Sequence, residues 1–283
     1  MFLIKIEQIG DFIFEGRYSL HSTFNNISNF INDEKNIVSV SHDNKYLSSN
    51  SIIIYGLPHT EVKTLNIKKD FFFINKNKFK KSDLVVFKSK INYSKDASFD
   101  ILDYISSFIE ENNLELNHLS LAFLINPKFE YCFETSFQKA FVKYIKSAIY
   151  DMLNGSFFNG IKNMKGAGHG LTPSGDDFIT GMLYALILIQ EIKKIDTKEL
   201  RNNIYEISKS NNDISRNMIF HASKGLYFKQ FKDFQIALLK KDKNIKQIFK
   251  NLTEIGETSG SDMITGYFLT IKNRKQIKQW LML

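Results

Sequence analysis

The pattern of hydrophobic and polar positions changes along the chain. From Phe2 to Ser89, short runs of apolar and β-branched residues alternate with Asn, Gly, Ser and Lys. Such runs are typical of short strands separated by turns, and three of them cover residues 36–40, 51–55 and 84–87. The pattern predicts a β-rich N-terminal region.

Further along, apolar residues recur every three or four positions, which is the period of an amphipathic helix. The apolar run 119–125 predicts one more strand, which ends before Pro127. Because no Pro- or Gly-rich linker divides the chain, we expect an α+β fold in which a β-rich domain, 1–128, packs on an α-helical domain, 129–283. Helices are predicted at residues 99–111, 137–153, 174–193, 198–208, 214–226, 231–240, 244–252 and 259–271.

The helical region contains one motif twice. Residues 174–181, Ser-Gly-Asp-Asp-Phe-Ile-Thr-Gly, align without a gap with residues 259–266, Ser-Gly-Ser-Asp-Met-Ile-Thr-Gly, and six of the eight positions are identical. Each copy opens a predicted helix. A threonine and a glycine loop precede each copy, and these residues are Thr172 with Gly170 and Thr258 with Gly256. The sequence therefore predicts two related Ser-Gly-x-Asp helix starts.

Helix capping explains part of this motif without any ligand. A serine three residues before an acidic residue forms a capping box, in which each side chain binds a free backbone amide of the first turn. Ser174 with Asp177 and Ser259 with Asp262 have that spacing. Capping does not explain the glycines, since a glycine inside a helix costs about 1 kcal/mol relative to alanine.

The glycines suggest two further purposes. Gly175 and Gly260, in the first turns, would let a ligand approach exposed amides at the positive end of each helix, where phosphate and carboxylate groups bind. Gly181 and Gly266, inside the helices, would let the two helices cross closely. Together they predict two helix starts that face one anion pocket.

Three other side chains are candidates for chemistry near the motif. Asp176 has no counterpart in the second copy, where Ser261 stands, so it is a candidate general base, metal ligand or acceptor for a substrate amide, or simply a favourable charge at the helix start. His169 lies in the glycine loop 166–170 and either reaches the site or is an exposed loop residue. Arg216 either holds an anion with its guanidinium fork or faces solvent.

Composition and charge narrow the function classes. The net charge of +8 would suit nucleic acid, but nearly all of it is lysine spread along the chain, so we expect no nucleic-acid partner and only steering of small anions. The four arginines are Arg17, Arg201, Arg216 and Arg274. Arg17 shares one face of a predicted strand with Ser19 and His21, without an assigned role.

The same composition predicts a cytoplasmic protein without a membrane partner. The single cysteine, Cys132, excludes an internal disulfide and a Cys-rich metal site. Glu7 and Asp11 interrupt the apolar start of the chain, which is unlike a signal peptide. The longest apolar run, 182–189, is about half of what a membrane span needs.

The segments GLTPSGDDFITG, NDISRNMIFHASKG and IGETSGSDMITG resemble a domain family once catalogued as of unknown function and now linked to the third subunit of oxamate carbamoyltransferase. The resemblance covers residues 166–266 well and the rest of the chain loosely. It implies a subunit of a heteromeric enzyme of allantoin breakdown that interconverts oxalurate and phosphate with oxamate and carbamoyl phosphate. The Ser-Thr-Arg-Thr phosphate loop of ordinary carbamoyltransferases is absent, so partner subunits or an unrelated site would supply that function.

The predicted site follows from these residues. Candidate catalytic residues are Asp176, Asp177, Asp262 and His169, and candidate substrate-binding residues are Gly170, Thr172, Ser174, Gly175, Arg216, Thr258, Ser259 and Gly260. The expected partners are small anionic substrates and other enzyme subunits, with no assigned cofactor. Two alternatives stay open: a magnesium-dependent hydrolase or lyase that uses Asp176, Asp177 and Asp262, and a non-catalytic subunit that binds a metabolite.

Overall fold

The computed structural model describes residues 4–93 and 100–282, so Phe2 and Phe99, the first residues of two predicted elements, lie outside it. The chain forms two compact units: Met1–Ile91 with Leu226–Lys232, and Asn92–Gly225 with Asp233–Leu283. The division falls at 91/92 and not at the predicted 128/129, because the helix Asp100–Glu111 packs against the late helix Ser259–Lys272. The α+β class is confirmed.

The first unit contains a nine-stranded sheet within its described residues. The strands are β1 (Lys5–Gly10), β2 (Gly16–Thr23), β3 (Ile27–Ile31), β4 (Ile37–Ser41), β5 (Ser51–Tyr55), β6 (Thr64–Ile67), β7 (Phe71–Ile74), β8 (Asn77–Lys80) and β9 (Val85–Phe87). They are ordered β8-β7-β6-β2-β3-β4-β5-β1-β9, and only the β1–β9 and β4–β5 pairs are parallel. The three predicted strands are confirmed to within one residue.

Alternation of buried and exposed side chains sets the inner face of this sheet. In β2, Tyr18 is buried while its neighbours Arg17 and Ser19 are exposed, as the two-residue period of a strand requires. Phe30, Leu65 and other buried apolar residues of the neighbouring strands continue the same core. The polar face of β2 is therefore left toward solvent.

Ten α-helices lie among the described residues after Ile91. They are α1 (Asp100–Glu111), α2 (Ser136–Leu153), α3 (Phe157–Met164), α4 (Ser174–Lys193), α5 (Lys198–Ser208), α6 (Asp213–Ser223), α7 (Lys229–Lys240), α8 (Ile245–Thr253), α9 (Ser259–Lys272) and α10 (Ile277–Trp280). All eight predicted helices are present, whereas the short α3 and α10 were not predicted. The predicted helix 214–226 ends early because Gly225 adopts a left-handed conformation, φ +73°, which favours glycine and terminates helices.

The helix α4 is the centre of the second unit. Nearly every residue from Gly175 to Ile189 is buried, because this stretch is apolar on all sides and a helix of that kind lies inside a protein. Its most extensive packing partner is α9. No helix in residues 4–93 and 100–282 has both the length and the apolar character that crossing a membrane requires.

The predicted strand at 119–125 is wrong. The segment Leu121–Leu124 is a 3-10 helix, capped by Ser120, whose hydroxyl accepts the amide of Ala122. The amide of Leu121 donates to the carboxylate of Asp262, 2.6 Å away. A run of apolar residues does not distinguish a buried strand from a buried helical turn, and here the backbone binds the motif of α9 instead of a sheet.

Candidate functional site

The two motif copies meet where α4 and α9 cross. A Cβ atom added to Gly181 would lie 1.8 Å from the carbonyl oxygen of Met263, and one added to Gly266 would lie 2.0 Å from that of Phe178. Phe178 and Met263 occupy equivalent positions in the two copies, so the crossing has a local two-fold symmetry. The predicted close crossing at the interior glycines is confirmed.

The first-turn glycines serve a different purpose from the one predicted. A Cβ atom on Gly175 would lie 1.8 Å from the carbonyl oxygen of Met164, and one on Gly260 would lie 1.9 Å from that of Leu252. The amides of both glycines already donate to carbonyls of the preceding loops. Glycine at these two positions therefore lets the end of the preceding helix pack closely against the first turn. Neither amide is available to a ligand.

The capping boxes are also not formed as predicted. Each helix begins at its motif serine, and the residue before it makes no side-chain capping hydrogen bond. Instead, the hydroxyl of Ser259 in α9 lowers the pKa of Asp177 in α4, and the hydroxyl of Ser174 in α4 lowers the pKa of Asp262 in α9. The serine of each copy thus lies near the aspartate of the other, although Oδ1 of Asp177 and Oδ2 of Asp262 accept no hydrogen bond from any described residue. We call this arrangement the motif exchange.

The two aspartates of the motif exchange are fully buried. Thr172 donates to Oδ2 of Asp177 over 3.1 Å. Burial raises the pKa of Asp262 to about 7, against the lowering effect of its hydrogen bonds. Burial also raises the pKa of Asp177 well above its usual value, and the nearby charge of Asp262 raises it further. A protonated, neutral carboxyl is therefore favoured at the crossing up to near-neutral pH.

Asp176 lies on another side of α4 and is also fully buried. Its Oδ1 accepts the amide of Gly166 over 2.8 Å, whereas its Oδ2 has no hydrogen-bond partner among the described residues. Burial raises its pKa, while the Gly166 amide and the nearby Ser215 hydroxyl lower it. The equivalent residue of the second copy, Ser261, accepts the amide of Asn117 over 2.9 Å. Asp176 and Ser261 each bind the backbone amide of a neighbouring loop, but only in the first copy is the acceptor a carboxylate.

The three aspartates do not form a metal site as they are arranged. Asp177 and Asp262 interact across the helix crossing, whereas Asp176 binds the glycine loop. Within residues 4–93 and 100–282, no group of three or more His, Cys, Asp or Glu side chains is placed to hold a metal ion. These three carboxylates, as arranged among the described residues, do not form the magnesium site that the alternative hydrolase or lyase would use.

Hydroxyl groups and the glycine loop lie at the outer end of the crossing. Thr172 Oγ1 and Ser259 Oγ are 3.2 Å apart, so the two helix starts are directly joined. Gly166, Gly168 and Gly170 have φ angles of +69°, +108° and +99°. His169, between two of them, is exposed, and its ring lies edge-on to Phe137 at 5.4 Å. The amides of Gly166 and Ala167 donate to Asp176 and to the carbonyl of Met164. Loops that contain left-handed glycines can present their remaining amides to an anion.

Arg216 lies near the start of α6. Its guanidinium forms an ion pair with Asp213 at 2.6 Å, and 18% of its side chain is exposed. Asn212, just before α6, donates to the carbonyl of Leu171 over 2.7 Å, which attaches this helix start to the glycine loop. Arg216 is thus neither a purely solvent-facing residue nor an unpaired cation.

Sequence reasoning missed three residues that the site uses. Ser215 lies within the NDISRN segment, so its position beside an arginine was an available signal. Asn117 and Leu121 bind Ser261 and Asp262 through backbone amides. Backbone amides leave no residue-type signature, and these partners are more than a hundred residues from the second motif in the chain.

Comparison with known proteins gives one match. The family model described as oxamate carbamoyltransferase subunit AllH matches residues 164–271, from the end of α3 almost to the end of α9. This confirms the resemblance predicted from the sequence. No curated protein and no solved structure matches the chain.

Proposed function

We propose, from the match of residues 164–271 to the oxamate carbamoyltransferase subunit AllH family, that this chain is a subunit of a carbamoyl-transfer enzyme. Its substrates are small anions: oxamate and carbamoyl phosphate in one direction, oxalurate and phosphate in the other. The family is described as a subunit of oxamate carbamoyltransferase, so the partners of this chain are the other subunits of such an enzyme. The chain binds these anions where the glycine loop meets the starts of α4 and α9.

The observation that carries this proposal is the contact between the two helix starts. Thr172 and Ser259 are in contact at the outer end of the crossing, next to a loop of left-handed glycines. Arg216 lies near the start of α6, which Asn212 attaches to the same loop. Hydroxyls, loop amides and a guanidinium are the groups that bind carboxylate and phosphate oxygens. The other predicted binding groups at these helix starts are Ser174 and Thr258, both partly exposed.

In the proposed reaction, the chain contributes positioning and electrostatics. Carbamoyl transfer joins the amide nitrogen of oxamate to the carbamoyl carbon as the bond from that carbon to phosphate breaks, and the nitrogen gives up one proton. Arg216 and the loop amides stabilise the charge on phosphate as it leaves. Asp176 accepts the proton through Oδ2. Because Asp176 is buried, the substrate reaches this oxygen only when the glycine loop moves and the hydrogen bond from the Gly166 amide to Oδ1 of Asp176 opens.

Direct binding measurements test the anion site. The melting temperature of the chain is measured with carbamoyl phosphate, phosphate, oxamate and oxalurate, each with and without magnesium. At least one of these anions should raise it, because a ligand that binds only the folded state stabilises that state. Arg216→Gln should weaken that binding by about tenfold, because one charge-assisted hydrogen bond is lost. Arg274→Gln is the matched control, since Arg274 is also ion-paired with an aspartate and is also 18% exposed. Equal effects of the two substitutions would contradict the assignment of Arg216.

The role of Asp176 is tested by Asp176→Asn. The substitution keeps an oxygen that accepts the Gly166 amide and removes only the acid, so we expect an unchanged melting temperature and a turnover lowered by about two orders of magnitude. Turnover is measured with all subunits present. Asp177→Asn is the control, because this residue lies inside the crossing and should change stability more than turnover. A fully active Asp176→Asn enzyme would leave Asp176 only the role of holding the glycine loop.

A further inference from the structure

The first unit contains one arginine, Arg17, whose side chain is bound by none of the residues that the structure describes. Arg201 is buried among hydrogen-bond acceptors, and Arg216 and Arg274 each pair with an aspartate. The side chain of Arg17, on the exposed face of β2, forms no hydrogen bond or ion pair with any described residue. Because the other three arginines are bound by described residues, Arg17 is the candidate for a ligand contact.

Arg17 faces a cleft of about 360 Å³ on the outer side of the sheet. Cross-strand pairing places Arg17 opposite Asn66 and Asn66 opposite Phe73, so these side chains form a row across β2, β6 and β7. Lys68 follows two positions after Asn66 and lies on the same side. The residues that line the cleft are Arg17, Tyr18, Thr64, Leu65, Asn66, Lys68, Phe73 and Asn75.

The lining of this cleft selects for an organic anion. It contains two cationic side chains and no carboxylate. The side chains of Asn66 and Lys68, like that of Arg17, make no hydrogen bond to other described residues. Three side chains that can donate hydrogen bonds to a ligand therefore line the same cleft. Phe73 is half-buried and supplies one aromatic wall. A volume of this size lies within the range of about 300–1,000 Å³ that is usual for small-molecule sites.

We propose that this cleft binds a small molecule that combines a phosphate with a flat ring, the chemistry of a nucleoside monophosphate. The phosphate contacts Arg17 and Lys68, since a guanidinium and an ammonium bind phosphate oxygens. The ring stacks on Phe73, as planar rings do on aromatic side chains, and Asn66 hydrogen-bonds to the ring edge. The site lies within the first unit and is independent of the carbamoyl-transfer proposal.

Calorimetry on the full chain tests the site with three probes: AMP, adenosine and inorganic phosphate. AMP should bind, and adenosine and phosphate should each bind at least about tenfold more weakly, because each supplies only part of the contacts. Arg17→Gln and Lys68→Gln should each weaken AMP binding by about tenfold, and Phe73→Leu should weaken AMP and adenosine but not phosphate. Lys5→Gln is the matched control, because Lys5 is an exposed lysine on β1, which β3, β4 and β5 separate from β2.

Three results would overturn the proposal: no binding of AMP, AMP binding that Arg17→Gln and Lys5→Gln leave equally strong, or binding of a single-stranded oligonucleotide without binding of AMP. The last would identify the row as a nucleic-acid surface. The exposed positions of Arg17 and Lys68 predict melting temperatures close to that of the unchanged chain, so a loss of binding in these variants reports on the cleft and not on folding.

Discussion

Gly181→Leu should destabilise the second unit by about 3 kcal/mol or more, since overpacking of a tight core costs about 1–3 kcal/mol and here the obstacle is backbone. The carbonyl oxygen of Met263 lies 1.8 Å from where the first side-chain atom would be placed. A side-chain neighbour could rotate away, but a helix backbone moves only if α9 moves as a whole. Gly266→Leu should have a similar effect, because it meets the backbone of Phe178 in the same way.

Urea denaturation of the full chain measures this effect. Gly170→Leu is the control: nothing lies within 4 Å of the added Cβ, so only its left-handed conformation opposes the change, at about 1–2 kcal/mol. If Gly181→Leu does not fold, Gly181→Ala provides the smaller clash that can still be measured. A Gly181→Leu chain no less stable than the Gly170→Leu chain would contradict the packing of α4 on α9.

Asp262→Asn should stabilise the protein above neutral pH and reduce the dependence of its stability on pH. In the folded protein the pKa of Asp262 is about 7, whereas an unfolded aspartate titrates near pH 3.9. Between these values the folded state holds a proton that the unfolded chain releases. The contribution of Asp262 to the free energy of unfolding is therefore most favourable below about pH 4. It falls as pH rises toward 7, by about 4 kcal/mol in total.

The measurement is the free energy of unfolding at several pH values from 5 to 8. Asparagine retains an oxygen that can accept the amide of Leu121 and carries no charge at any pH, so the decline with pH should be smaller in Asp262→Asn. Asp103→Asn is the control for loss of a carboxylate, because the Asp103 side chain is 69% exposed. Stability that stays constant or rises between pH 5 and 8 in the unchanged chain would show that the buried carboxyls do not carry this proton.

Periodicity was sufficient to predict most elements because the strands and helices are regular and half-buried or wholly buried. The bounds of α4 follow from its composition, and the glycines at the crossing follow from their cost inside a helix. The motif exchange could not be predicted, because a serine and an aspartate three residues apart fit a local capping box equally well. Only the position of the partner helix decides which aspartate a serine lies near. The segment 119–125 was misassigned for the same reason, since the acceptor of the Leu121 amide is Asp262 in a distant helix.

The motif exchange also makes each copy dependent on the other for folding. If α9 were separated from α4, Asp177 would lose the nearby hydroxyl of Ser259, and Asp262 would lose the nearby hydroxyl of Ser174. Equivalent positions are 85 residues apart in the chain, so this segment must close into a loop before the two helix starts meet, and closing such a loop is slow relative to forming local helical turns. Two polypeptides made by cutting the chain within that interval should each lack the packed α4–α9 pair when apart and form it when mixed.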